Sequence, residues 1–226
     1  ISVTGVQTCA LPIWPSPVTG DLPEAVRALK EEGRLVYFCG QSLFKLLPVQ
    51  DEVIAAIAGR LPNAAFVFIA HAADAATAVL RDRLTRRMAR AGLSVDGRIV
   101  LLPRLSEAAF RAVSGVADVV IDSLEWSGFN STLEALAAGT PVVAMPGATM
   151  RAHHSYGILS MAGLDDLIAA DADAYVDLAV RLGEDVAFRD RVRRAVAERS
   201  GRVFDDPAPV PALAAWLESA VAAAAK

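Results

Sequence analysis

Two stretches of the sequence carry residue types suited to holding an anion. One is "CGQSLFK" (residues 39–45), which offers Gln41, Ser42 and Lys45; the other is "SLEWSGFNST" (residues 123–132), followed directly by the helix-period run "LEALAAG". A helix opening at Asn130 to Thr132 aims unpaired backbone N–H groups and the positive end of its dipole into the preceding loop, where a negative charge is favoured. The dipole contributes ~0.3–1 kcal/mol, or ~2 kcal/mol in a partly buried setting. Micromolar binding needs roughly 8 kcal/mol, so a diphosphate held there requires a cation as well. Lys45 supplies one, and a charge-assisted hydrogen bond adds ~1.5–3 kcal/mol. The same residues fit a second use, in which Ser131 caps the helix and Glu134, three residues on, bonds back to it with no ligand involved. The two uses compete, because a Glu134 engaged in a cap cannot reach a ribose.

Both stretches follow short apolar runs, and the order of elements around them is regular. "RLVYFCG" (34–40), "AAFVFIA" (64–70), "GRIVLLP" (97–103), "ADVVID" (117–122) and "TPVVAMPG" (140–147) have strand composition, and "LDDLIAAD" (164–171) holds a short sixth strand or its remnant. Helical periodicity fills the intervals. It places Val53, Ile54, Ile57 and Leu61 on one face, starts a helix at Ser106, and continues through residues 174–200 and 212–226. Strands alternating with helices predict an α/β domain with a doubly wound, Rossmann-like parallel sheet. In such a sheet ligands sit beyond the carboxyl ends of the strands. The loops to search are therefore "CGQSLFK", "PRLSEAAF" (103–110, with Leu105 and Phe110) and "SLEWSGFNST" (with Gly128 and Phe129).

Composition narrows the function classes. The chain has 226 residues, 54% hydrophobic and 21% charged, enough to bury a sizeable core, and no apolar run approaches the ~18 residues of a membrane span. A net charge of −4 argues against a nucleic-acid binder. The arginines at 81, 83, 86, 87 and 90 fall largely on the wet face of a helix whose dry face is Leu80, Leu84 and Met88. Two cysteines, Cys9 and Cys39, and three histidines give neither a disulfide framework nor a zinc set, so a reducing cytoplasm is the expected setting. The "DAD" at Asp171–Asp173 lies at a helix start, where Asp is an ordinary cap, and no metal site is expected. His153 and His154 open a helix that ends at Gly163. The turn after the first strand lacks GxGxxG, which disfavours a dinucleotide-dependent oxidoreductase. Residues 1–13 include "VTGVQTCALPI", which matches the translation of a sequencing adapter and is excluded as a non-native scar. Residues 14–33, broken by Pro15, Pro17, Gly20 and Pro23, read as a linker or a remnant of a lost N-terminal domain, which leaves 34–226 as the folded unit of a fragment.

"QSLFK", "ADVVIDSLEWSGFNSTLEALAAGTPVVAMPG" and "MRAHHSYGILSMAGLDDLIA" together resemble the carboxyl-terminal half of the family-41 glycosyltransferases, the O-linked N-acetylglucosamine transferase and SPINDLY-like proteins, over about residues 34–200. The resemblance implies a GT-B architecture of two facing Rossmann-like domains, the second of which holds most of the nucleotide sugar; this chain resembles that second domain. The first domain and possible tetratricopeptide repeats upstream would be its partners, together with a protein acceptor. By position, Lys45 matches the family lysine on the donor diphosphate and is the candidate catalytic residue. Asn130 and Ser131 match the start of the phosphate-binding helix, and Glu134 matches an acid that holds the ribose hydroxyls. Gln41, Ser42, Leu105, Phe110, Gly128, Phe129 and Thr132 complete the implied donor site. The base contacts depart from the family, with Glu107 and Phe110 where the animal enzymes have lysine and histidine. The implied reaction is an inverting, metal-independent transfer from UDP-N-acetylglucosamine or a related donor to protein Ser/Thr or Asn, without a cofactor, and the fragment alone should transfer nothing. A nucleotide-sugar epimerase of the same architecture, or a scaffold binding through the apolar stripe Leu213, Trp216, Leu217 and Val221, are the alternatives. In a two-domain transferase that tail crosses to the first domain, so here it should be bare. Trp126 is expected against the sheet edge or the missing domain.

Overall fold

The computed structural model describes residues 21–71, 74–204 and 206–224; residues 1–13, with Cys9, and residues 14–20 of the expected linker lie outside these. Five parallel strands, Leu35–Cys39 (β1), Ala64–Ile69 (β2), Ile99–Leu102 (β3), Val119–Ile121 (β4) and Val142–Val143 (β5), form one sheet in the order β3-β2-β1-β4-β5. The chain builds outward from β1 in one direction and then returns to β1's other side with β4. The loops after β1 and β4 therefore diverge and leave a crevice at their carboxyl ends, the switch point where ligands of such sheets bind.

β1, β2, β4 and β5 are buried on both faces, which is why they are apolar throughout rather than alternating, while edge strand β3 is partly exposed. Tyr37, Phe38, Phe66 and Phe68 fill the centre of the core. Covering helices run over Pro48–Arg60, Asp74–Arg90, Glu107–Val116, Asn130–Ala137, His154–Ala162, Ala172–Glu184 and Val186–Arg199; with a first helix at Glu24–Glu31 (α1) they are α2 to α8 in chain order. Leu80, Leu84 and Met88 bury the expected face of α3, and Gly92, at φ +71°, follows its end in the left-handed region. Ser106 caps α4 by accepting from the Ala109 N–H (3.2 Å), and Asp171, the first residue of "DAD", caps α7 through the Ala174 N–H (2.8 Å). The sixth strand survives as a single parallel bridge, Ala144 to Ile168, because the tight turn Asp165–Leu167 uses up the residues before it.

Two features differ from the sequence expectation. Residues 24–31 are not broken by Pro23. It sits just ahead of α1 with a φ of −54°, compatible with a helix start, and Val26 and Leu29 enter the core. Lys30 pairs with Asp118 (2.8 Å), fixing α1 to the start of β4. Arg83 and Arg87 leave the wet face of α3 and turn toward α2, pairing with Asp51 and Glu52. As expected, the last helix, Pro209–Ala224 (α9), buries none of its residues; Leu213, Trp216, Leu217 and Val221 are exposed, Trp216 at 64%. That bare apolar stripe is the one the sequence indicated. No helix among the described residues is long and apolar enough to cross a membrane.

The centre of the sheet is tied to α7 by one buried bond, from the Tyr37 hydroxyl to the Ala179 carbonyl (2.7 Å), and Gly183 leaves room for that hydroxyl. Tyr37→Phe should cost about 1 kcal/mol in urea unfolding, the net worth of a buried neutral hydrogen bond.

Candidate functional site

The crevice between the β1 and β4 loops is an open cleft of about 520 Å³. Gln41, Ser42, Lys45, Leu105, Phe110, Phe129, Asn130, Ser131 and Glu134 all line it, together with Gly40, Ser106 and Glu107. Residues as far apart in the chain as Gly40 and Glu134 thus meet in one place.

Each wall has an identifiable support. Lys45 ends a one-turn helix, Leu43–Lys45, flanked by the buried Leu43 and Leu46. The Leu46 carbonyl accepts from Arg83 (2.8 Å), whose guanidinium also bonds both Asp51 carboxylate oxygens at 2.8 Å. A bidentate pair of this kind fixes the turn's direction as well as its place. Phe110 lies directly over Gly40, where a Cβ would come within 2.6 Å of the ring, and meets Phe38 edge-on at 5.3 Å. Gly40 is thus required by the close approach of an aromatic ring that lines the cleft.

Hydrogen bonds join the two loops. Lys45 Nζ donates to Gln41 Oε1 (3.0 Å), and Gln41 Nε2 donates to Ser131 Oγ (2.5 Å). Ser131 is therefore engaged across the cleft and not as a cap. α5 starts after Phe129 with no side chain bonding its first N–H groups. The capping box with Glu134 is not formed. Glu134 remains half-buried in the cleft wall, where desolvation raises its carboxyl, with the Arg111 charge lowering it and Glu107 raising it. Glu107 itself is held by Arg111. The chemistry available is a lysine ammonium and a set of open helix N–H groups facing one volume, with a carboxylate farther along the wall.

Gly128 and Thr132 do not line the cleft; they anchor the loop from beneath. The Thr132 hydroxyl is buried against that of Ser155 (2.7 Å), and Ser155 Oγ donates to the Gly128 carbonyl (2.9 Å). A Cβ on residue 128 would sit 2.3 Å from the Gln41 amide nitrogen and 2.5 Å from Ser131 Oγ, so only glycine lets the Gln41–Ser131 bond form. Ser127 Oγ donates to the Arg151 carbonyl (3.1 Å) and accepts from the His154 N–H (2.9 Å), joining the loop to the start of α6.

The sequence reading missed Asp122. It follows β4 and is buried, and its Oδ1 accepts from the Gly128 N–H (2.7 Å). Its Oδ2 has no well-aligned hydrogen bond among the described residues, although the Ser155 hydroxyl and the Ser123 N–H lie near enough to ease the charge. Burial pushes this carboxyl up to about 6. The only signal in the sequence was an acid closing the apolar run "ADVVID".

Trp126 packs among side chains of the loops rather than on the sheet edge. Its ring meets Phe44 edge-on (5.7 Å) and lies under two cations, Lys45 Nζ at 5.7 Å and Arg151 Cζ at 4.9 Å from the centroid. His154 stands edge-on to Phe129 at 5.6 Å and is not itself part of the cleft lining, while His153 is exposed and its Nδ1 lies 2.9 Å from the Thr149 carbonyl oxygen.

Comparison with known proteins bears on the fold and the family. The SPINDLY protein of Arabidopsis thaliana, named "Probable UDP-N-acetylglucosamine--peptide N-acetylglucosaminyltransferase SPINDLY", is 28% identical over 192 residues, covering 84% of this chain and 20% of that protein. The UDP-N-acetylglucosamine--peptide N-acetylglucosaminyltransferase of Caenorhabditis elegans is 33% identical over 92 residues, 40% of this chain and 8% of that one. The chain spans about a fifth of the length of the SPINDLY relatives it matches. Among solved structures, a mutant of the Thermobaculum terrenum O-GlcNAc transferase superposes with a TM-score of 0.72 at 28% identity, covering 93% of this chain and 38% of that one. Anabaena HepE, solved with UDP and glucose, superposes with a TM-score of 0.62 at 17% identity, covering 89% and 54%, and shares the GT-B half-fold. The family model described as glycosyl transferase family 41 matches residues 27–205, which contain every strand and the whole cleft; the chain belongs to that family.

Proposed function

We propose that this domain is the nucleotide-sugar-binding half of an inverting, metal-independent protein glycosyltransferase, using UDP-N-acetylglucosamine or a related donor and a protein Ser/Thr or Asn acceptor. The observation that carries the reading is the Lys45–Gln41–Ser131 chain of bonds, which sets an ammonium and the uncapped start of α5 on one volume at the sheet's switch point. As the acceptor displaces the nucleoside diphosphate, negative charge grows on the leaving phosphate. Lys45 and the α5 N–H groups are fixed where they would stabilise it, and stabilisation specific to that charge accelerates transfer. Glu134 has the position and free carboxylate to accept from ribose hydroxyls, and Phe110 offers a face for the base. The acceptor surface and the catalytic base are assigned to the missing N-terminal domain, and the setting to the cytoplasm. The family's shared length and the 28% identity to two transferase relatives support this reading.

Titration of the chain with UDP and with GDP by calorimetry tests it. Saturable heat from at least one nucleotide is expected, and a folded chain that gives heat with neither would overturn the assignment.

A further inference from the structure

Some arginines in the fold have carboxylate partners, among them Arg60 with Asp177, Arg83 with Asp51, Arg87 with Glu52 and Arg111 with Glu107, and Arg181 and Arg191 share the ring of Phe188, which does not line the cleft. Among the described residues neither Arg151 nor Lys45 forms an ion pair, yet both stand over the ring of Trp126, at 4.9 and 5.7 Å from its centroid. The ring face offsets part of the cost of bringing two like charges together, but it is a weak and uncharged partner. Two unneutralised cations sharing one aromatic platform at the edge of a cleft form a site for an anion with more than one charge centre.

The arrangement also has a direction. Leu105 and Phe110 line one part of the cleft, Glu134 its wall, and Lys45 the mouth of α5; Arg151 is not part of the lining and meets Lys45 through Trp126. Its carbonyl is held by Ser127, at the start of the loop that leads into α5, so its backbone is fixed while its side chain is exposed. We infer that Arg151 is a second cation for the donor diphosphate, its guanidinium joining Lys45 on the sugar-side phosphate, with Trp126 spacing the two. This rests on the donor-site reading above. An arginine suits the task because its planar fork meets two phosphate oxygens at once, which a lysine at 151 would not.

The test compares UDP, which has the second phosphate, with UMP, which lacks it. Both are titrated into the wild-type chain and into Arg151→Ala, Arg151→Gln and Arg151→Lys, with thermal melts as the control for folding. UDP affinity should fall about tenfold in the Ala and Gln variants and less in the Lys variant, while UMP affinity changes by less than about twofold, as loss of one charge-assisted contact to the second phosphate requires. If UDP binds Arg151→Ala and Arg151→Gln as it binds wild type, the Arg151 assignment is overturned and the donor site stands. An equal loss of UDP and UMP would also overturn it, since that pattern belongs to a structural role for the side chain. A wild-type chain that binds neither nucleotide sinks the donor reading and this inference with it.

Discussion

UDP affinity should fall ~10- to 150-fold when Lys45 is replaced by Ala, the range that corresponds to one charge-assisted hydrogen bond of ~1.5–3 kcal/mol. The melting temperature should hardly move. Lys45 makes no ion pair among the described residues, its turn is held by the buried Leu43 and Leu46 and by Arg83 on the Leu46 carbonyl, and its contact with Trp126 is worth only ~0.5–1 kcal/mol. Lys45→Met keeps the aliphatic stem and the packing, so it should lose binding to the same extent. Calorimetric titration of the three chains with UDP decides the matter. If both variants bind within about twofold of wild type, the ammonium is not holding a phosphate and the proposed role fails.

Asp122→Asn should change how stability depends on pH. Burial holds the Asp122 carboxyl at about 6 in the folded protein against an ordinary value of 3.8. Between these values the folded state keeps a proton that the unfolded chain has released, so unfolding free energy falls as pH rises through that window. The loss attributable to this residue is absent below pH 3.8, complete above pH 6, and amounts to ~3 kcal/mol. Asparagine has no such titration, and its Oδ1 can still accept from the Gly128 N–H. The variant should therefore gain ~3 kcal/mol relative to wild type between pH 4 and pH 7 in urea unfolding. A difference between the two chains that stays constant over this range would show that Asp122 is ionised throughout. The wild-type acid is thus costly at neutral pH. What it provides is a charged acceptor for the backbone N–H at the turn of the loop that leads to the cleft.

The sheet was legible in the sequence because strands buried on both faces are written as unbroken apolar runs, and "RLVYFCG", "AAFVFIA" and "ADVVID" each yielded one. α1 was not, because prolines crowd the stretch before it; Pro23 precedes the helix without interrupting it, and burial of Val26 and Leu29 depends on a sheet that the local pattern does not reveal. The strand order was equally hidden, since it depends on which crossovers pack together. At the site, the loops could be found from the rule that ligands sit at strand carboxyl ends. The use of Ser131 could not: its spacing to Glu134 satisfies a capping box, and the partner that claims it instead, Gln41, lies ninety residues away. Trp126 and Arg151 likewise meet only through the fold. Fragment resemblance found the residues that line the cleft better than those that support it, and this explains why Gly128 and Thr132 were placed with the former and Asp122 was not placed at all.

The bare α9 gives the molecule an internal reporter. Trp216 is open to water, whereas Trp126 is half-buried beneath two cations, so these two of the chain's three indoles should differ in emission maximum and in access to a soluble quencher. Any protein that covers the tail would shift the emission of Trp216 to the blue, and a nucleotide entering the cleft would act on Trp126 instead. Optical titration of an unlabelled Trp14→Phe chain can thereby separate events at the tail from events at the cleft.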